Sequence, residues 1–267
     1  MSWSGGTFGE RARCVLAPNA NMMTLDGTNT WILREPGGNR SVVIDPGPPD
    51  EPHLAAVAEH AGDVAVVLLT HHHLDHSEAA RSFAERMRCG VRALDPRHRL
   101  GSEGLVDGDV VAVDGLEVHV VGTPGHTADS LSFVLPQERA VLTGDTVLGR
   151  GTTVVAHPDG KLGAYLDSLQ RLHALAEARV VMQVWPGHGP VISDALAALD
   201  FYLAHRQERL AQVEAALQDL HSGDAAGGGD DLARQVVERV YVDVDPVLWG
   251  AAELSVRAQL DYLRGGG

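Results

Sequence analysis

Residues 64–69 read Val-Ala-Val-Val-Leu-Leu, an unbroken apolar run rich in β-branched side chains. Its length predicts a buried strand. Similar short runs predict further strands at 13–16, 28–33, 41–45, 91–94, 110–113, 116–121, 131–134, 141–142 and 180–184. Apolar positions at helical spacing predict helices at 51–61, 77–88 and 162–178. Turn signals such as Asp26-Gly27 and Pro36-Gly37-Gly38-Asn39 separate the early strands. Two blocks of strands, each followed by helices, predict an α/β fold. Its two sheets would pack face to face with helices outside, a four-layer αββα arrangement.

The last third of the chain changes character. A long helical pattern covers 193–221, a Gly-rich break covers 222–231, and two further helices are predicted at 232–241 and 246–263. The expected organisation is a main domain over 1–195 and a helical C-terminal domain over 196–267 that walls the cleft of the first.

With 267 residues and 44% hydrophobic residues, the chain can bury a sizeable core. Its formal net charge of −15 speaks against a nucleic-acid binder, which usually carries a basic balance. Bound divalent cations would reverse that sign locally, so a polyanionic substrate is disfavoured but not excluded. The two cysteines, Cys14 and Cys89, form no CxxC motif and read as reduced thiols of a cytoplasmic protein. The N-terminal residues show no apolar signal-peptide core, and no run is long enough for a membrane span.

The chemistry concentrates just after predicted strands. Thr70-His71-His72-His73-Leu74-Asp75-His76 follows the 64–69 run and leads into a helix. On an extended loop, His71 and His73 point one way and His72 the other. Asp75 and His76 are displaced along the chain, where they could serve a second ion. Imidazole and carboxylate suit a borderline divalent ion such as zinc. Three further positions share that setting: His126 in Gly122-Thr-Pro-Gly-His-Thr127, Asp145 in Thr143-Gly-Asp-Thr146, and His188 in Trp185-Pro-Gly-His-Gly189. Five of the fourteen histidines fall at these positions. The others, including His53, His60, His98 and His221, read as surface or satisfied core residues, as does His72 unless it lines the pocket. Asp45, at the end of an earlier strand, is a candidate acceptor for a ligand histidine N–H.

The motifs THHHLDH, GTPGHT, TGDT and WPGHG resemble those of the metallo-β-lactamase fold superfamily, over residues 13–195. The resemblance implies the αββα sandwich of that family, here with a winged-helix-like helical appendage. It also implies two zinc ions, or iron or manganese with the same ligands. His71, His73 and His126 would hold one, Asp75, His76 and His188 the other, and Asp145 would bridge both. Two divalent ions about 4 Å apart can share and acidify a water, so a bridging hydroxide is the expected nucleophile. Asp75 is the candidate catalytic residue that orients it or hands a proton to the leaving group.

Within the superfamily, secreted β-lactamases lack the bridging aspartate, glyoxalase II enzymes add a basic tail absent here, and the large RNA-processing nucleases carry a long inserted domain. Residues 19–30, 144–154, 202–206 and 237–263 resemble the β-lactamase-like protein 2 group. That resemblance implies an endoribonuclease acting on single-stranded RNA. The alternatives are a glyoxalase II-like hydrolase of small-molecule thioesters or esters and, from another class, a non-catalytic metal-binding module. Candidate substrate contacts are His205 and Arg206 on the long helix and Arg150 after the bridging aspartate, whereas Arg209 reads as part of a solvated helix face.

Overall fold

The computed structural model describes residues 2–222, 229–242 and 244–265. A first sheet takes its strands in sequence order: β1 (Gly6–Phe8), β2 (Ala12–Leu16), β3 (Asn29–Leu33), β4 (Arg40–Ile44), β5 (Asp63–Leu68) and β6 (Gly90–Arg92). The second has the order β11 (Gln183–Pro186), β10 (Ala140–Gly144), β9 (Leu131–Leu135), β8 (Leu116–Gly122) and β7 (Val110–Val113). Most pairings are antiparallel. β4–β5 and β5–β6 in the first sheet, and β10–β11 in the second, are parallel. The helices are α1 (Glu51–Ala61), α2 (Leu74–Ser77), α3 (Ala80–Met87), α4 (Leu162–Glu177), α5 (Ala195–Ser222), α6 (Gly229–Val240) and α7 (Trp249–Leu263).

Side chains alternate across the strands, and in β3, β4, β9 and β10 both sides are buried, which is why those strands read as nearly continuous apolar runs, whereas β7 alternates buried and exposed. Trp31, Leu33, Ile44 and Leu68 meet Phe133, Leu142 and Trp185 of the second sheet in the layer between the sheets. There Trp31 and Trp185 stack with ring centroids 5.1 Å apart. The intervening residues Ile32, Val43 and Val67 face outward against Leu54 and Val57 of α1 and Phe83 of α3. On the far side, Val134, Val141 and Val184 pack against Tyr165, Leu169 and Leu172 of α4 and Leu199 and Tyr202 of α5. The expected αββα layering is therefore present. α1 opens as its sequence indicates, with the Asp50 carboxylate accepting from the His53 N–H and Pro52 within the first turn.

Several boundaries differ from the sequence reading. β1 was not expected, because three residues in a Gly-rich segment carry almost no periodic signal. The helix expected from residue 77 is split, with α2 ending at Ser77 and α3 starting at Ala80. The strand expected at 180–184 begins only at Gln183, since Val180 and Met182 are exposed. The Gly-rich break expected at 222–231 falls largely on residues 223–228, outside the described residues. After Ala195 the described residues contain helices and no strand that could form a wing. α5, α6 and α7 bury a cluster of their own around Val213, Val236, Val237 and Val256, while Ala258 of α7 joins Leu199 and Tyr202 against the second sheet. No helix among the described residues is long and apolar enough to cross a membrane.

Replacing Trp31 with alanine removes one partner of a fully buried stack, so the variant is expected to lose about 3–5 kcal/mol of stability. Chemical denaturation would measure it, and a loss below about 1 kcal/mol would contradict the central place given to this inter-sheet layer.

Candidate metal centre

The strand ends place the candidate ligands. β5 runs into Thr70 and the extended 71–73 segment, so His71 and His73 meet at 3.0 Å between Nε2 and Nδ1. Beyond the end of β8, a turn through Gly125 delivers His126, whose Nε2 is 3.0 Å from His73 Nδ1. β10 ends at Gly144, immediately before Asp145, and β11 ends at Pro186, two residues before His188. His76, in the short α2, brings its Nε2 to 3.2 Å from His188 Nε2. Two groups result: His71, His73, His126 and Asp145, and Asp75, His76 and His188, each with its donor atoms within 4.8 Å of one another. Asp145 reaches toward both, with Oδ2 3.7 Å from His126 Nε2 and Oδ1 3.3 Å from His76 Nε2. His72 points away, as the extended loop requires, and pairs with Asp129 at 2.8 Å.

Outer hydrogen bonds determine what these rings present inward. The Asp45 carboxylate accepts from the backbone N–H of Thr70 at 2.8 Å, from Thr70 Oγ1 at 2.6 Å and from His76 Nδ1 at 2.8 Å. Thr70 Oγ1, already donating to Asp45, accepts from His71 Nδ1 at 3.0 Å. His126 Nδ1 donates to the Val154 carbonyl at 2.7 Å, and His188 Nδ1 to the Gly27 carbonyl at 3.1 Å. In each case the outward nitrogen spends the ring's proton, so the inward Nε2 carries a lone pair. Asp45 holds this arrangement from a left-handed backbone conformation with φ of 51°, a strained position for a non-glycine residue.

The electrostatics are those of a site built around positive charge. Burial drives His71 well below the usual histidine range, helped by His76. His73 is held at about 4 by burial and by His126 beside it. His76 and His188 go the other way: burial opposes their protonation, but Asp145 and Asp75 outweigh it and raise His188 to about 9. Against the upward push of burial, His76 and His188 hold Asp75 at about 2. Asp145, at the floor of the cleft, is also held well below the carboxylate range, since the same two histidines outweigh the effect of burial.

A divalent cation fits this donor set. Nitrogen ligands about 2.0–2.1 Å from a tetrahedral zinc ion lie roughly 3.3 Å apart, close to the spacings above, and too many inward lone pairs converge for hydrogen bonding to satisfy them. Asp145 Oδ1 is buried with no hydrogen-bond partner. Gly187 leaves the space open: a Cβ there would lie 2.7 Å from Asp145 Oδ1 and 2.8 Å from the His76 ring.

The other expected contacts divide. Arg150, at the cleft, is ion-paired with Asp26. His205 lines the cleft with its Nδ1 buried and unpartnered. Arg206, expected to reach substrate, is 6% exposed and turned inward. Its Nη2 donates to the Thr153 carbonyl at 2.6 Å, and its guanidinium lies 4.9 Å from the centre of the Tyr165 ring. Thr153 and Val154 are the residues against His126 Nδ1, so Arg206 braces the segment that orients that ring. Tyr165 donates to the Thr146 carbonyl, and Tyr202, one turn before Arg206, bonds the backbone of Leu148. Sequence reasoning missed Asn29, whose side-chain amide donates to the carbonyls of Pro186 and Gly189 on either side of His188. An asparagine inside an apolar strand was the available signal.

Comparison with known proteins agrees with this geometry. Residues 23–188 match the family described as the metallo-beta-lactamase superfamily, and the chain belongs to it. An atrochrysone carboxyl ACP thioesterase of Aspergillus fumigatus is 36% identical over 246 residues, covering 86% of this chain and 74% of that protein. A beta-lactamase-like protein 2 homolog of Caenorhabditis elegans is 32% identical over 217 residues, covering 77% of this chain and 70% of that protein. The crystal structure of a metallo-beta-lactamase family protein from Thermus thermophilus superposes with a TM-score of 0.74 at 21% identity, covering 96% of this chain and 94% of that one.

Two outcomes test the site. Asp145 and Asp75 push His76 and His188 up, His188 to about 9, whereas ligation needs neutral imidazole, so metal uptake at pH 7 should release at least one proton from this pair. Titration calorimetry in buffers of different ionisation enthalpy measures that number, and a value near zero would refute it. R206Q, which weakens the brace on His126, should lower metal affinity about tenfold or more in chelator competition. Unchanged affinity would mean that the segment holds His126 unaided.

Proposed function

We propose that this member of the metallo-β-lactamase superfamily is a hydrolase of small-molecule thioesters or esters that works with two divalent metal ions. His71, His73 and His126 would hold one ion, Asp75, His76 and His188 the other, and Asp145 would lie between them. Zinc suits the imidazole and carboxylate donors, and iron or manganese could occupy the same ligands. Residues 1–195 supply this site and one flank of the cleft, and residues 196–267 supply the helices that wall the other flank.

The observation that carries this reading is the character of that wall. The cleft over the candidate ligands has a volume of about 670 Å³. Met22, Met23 and Leu25 on one side and Val244, Leu248 and Ala252 on the other give it apolar walls. Of its three arginines, Arg150 is paired with Asp26 and Arg206 is spent on Thr153, which leaves Arg209 among the described residues. A single-stranded RNA substrate needs a cationic track along several phosphates. An acyl group needs apolar surface and one polar end at the reacting carbon. The name of the Aspergillus fumigatus relative, a thioesterase, supports the same choice.

Bound divalent ions would polarise the acyl carbonyl and acidify water. The chain's own groups do the rest. Asp75 lies at the cleft with Oδ2 3.1 Å from His188 Nε2, and its ionised carboxylate can take the proton that the attacking water gives up. The bond from carbon to sulfur or oxygen breaks as the new carbon–oxygen bond forms, and Asp75 returns the proton to the leaving atom. The apolar wall displaces water from the acyl chain and so favours binding. A cytoplasmic location fits the two cysteines, both free thiols, with Cys14 buried.

The purified, metal-loaded protein is expected to hydrolyse S-acyl thioesters in a panel and to leave single-stranded RNA intact. Asp145→Ala should reduce turnover at least about a thousandfold, as loss of a group central to the reaction does. Chelator-sensitive RNA cleavage without thioester turnover would overturn the acyl reading in favour of the endoribonuclease. Stoichiometric metal binding with neither activity would point to a non-catalytic module.

A further inference from the structure

Arg209 lines the cleft yet has no part in holding the candidate ligands. It lies on α5, four residues after His205. Its Nη1 donates to the Val240 carbonyl at 2.9 Å, and its guanidinium lies over the Tyr241 ring, 4.5 Å from the centroid. These two contacts fix the plane of the group. Among the described residues, no acceptor takes its Nε or Nη2 protons and no carboxylate pairs with it.

On the same cleft Arg150 sits against a carboxylate and Arg206 is buried against the Thr153 carbonyl, whereas Arg209 is half-buried and faces the cleft. A half-buried guanidinium in an apolar wall, already oriented and without a carboxylate partner among the described residues, presents a fork that matches a carboxylate or phosphate. His205 adjoins it. With Nδ1 sealed off and unpartnered, Nε2 is the nitrogen left for a ligand. Burial keeps the ring below the usual histidine range, helped by Arg206 and Arg209 and opposed by Glu208, so at neutral pH it is an uncharged donor. The wall therefore offers one positive charge and one neutral N–H, enough for a single oxyanion.

We infer that Arg209, with His205 beside it, forms an oxyanion subsite, and that the substrate carries one carboxylate or phosphate away from its scissile bond. This rests on the acyl-hydrolase reading and specifies its substrate class: an acyl compound with an anionic end, held by a guanidinium at one end of the cleft and by the reacting centre at the other. The anion has two places open to it on such a molecule, the far end of the acyl chain or the phosphate of a phosphopantetheine-type leaving group, and the chemistry at Arg209 is the same for both.

Equilibrium binding to the full-length, metal-loaded protein tests this without turnover. Calorimetry would compare α,ω-diacids of six to twelve carbons with the monoacids of equal length, so that the metal centre can engage one carboxylate in either. A second comparison would set 4′-phosphopantetheine against pantetheine. In at least one pair the extra oxyanion should tighten binding tenfold or more. A preference among the diacids would place the anion on the acyl side, and one with phosphopantetheine on the leaving side. R209Q should reduce the preference to within twofold, and R209K, which keeps the charge but loses the fork, should retain part of it. The subsite is refuted if wild-type protein shows no preference in either pair, or if R209Q keeps it. The parent reading fails differently: preferential oxyanion binding with no hydrolysis of charged or neutral thioesters would sink the acyl-hydrolase assignment alone.

Discussion

Everything at the functional end of this protein follows from one electrostatic constraint: imidazole lone pairs and carboxylates converge in a space from which water is largely excluded. Inward nitrogen atoms 3.0–3.2 Å apart repel one another through their lone pairs unless positive charge lies between them. Without metal, Asp145 and Asp75 push His76 and His188 up in pKa, while burial pushes His71 and His73 down. A divalent ion meets the same need with full charge and better geometry. Occupation of such a site by a divalent ion would link metal affinity to folding.

The scaffold supports that frustration by tying each ring to a different element. Asp45, one residue past β4, fixes His76 directly and His71 through Thr70. Asn29 at the start of β3 clamps the carbonyls around His188. α5 reaches across the second sheet with Tyr202 and Arg206, one turn apart, to brace the 148–154 segment beside His126. The two sheets and the long C-terminal helix therefore meet at the ligands, and none of them could shift without disturbing at least one ring. Close packing between elements makes that coupling stiff.

The convergence of the candidate ligands was legible in the chain because their placement is local. A histidine just past a strand reports its own position, and H-x-H-x-D-H sets side-chain direction by the alternation of an extended backbone, so His72 was separable from His71 and His73 before any coordinates. The alternating cores of β3, β4 and β5 were visible for the same reason. What sequence could not separate was Arg206 from Arg209. Three residues apart on one helix, they differ only in distant partners: the Thr153 carbonyl for the first, the Val240 carbonyl and Tyr241 ring for the second. The expected substrate contact proved to be a brace, and the expected solvated residue lines the cleft. Asn29 and β1 escaped for a related reason, since a single buried amide or a three-residue edge strand produces no periodic signal.

The division of labour between the two parts of the cleft explains how one metal-site pattern can serve different substrates. The ligands and Asp45 come from strand ends, where sheet geometry leaves little freedom. Tyr241, Val244 and Leu248, by contrast, come from the segment between α6 and α7, and Met22, Met23 and Leu25 from a turn whose Gly27 carbonyl accepts from His188. Changes in those segments alter the shape and charge of the wall without moving an imidazole. A basic wall in place of this apolar one would suit a polyanion at the same metal centre. With apolar residues on both flanks and Arg209 alone left uncommitted among the described arginines of the cleft, the wall favours a hydrophobic molecule with a single charged end. On the proposed reading, substrate class rests on residues outside the candidate ligand set, in keeping with motifs that identify the fold so clearly and say little about what it hydrolyses.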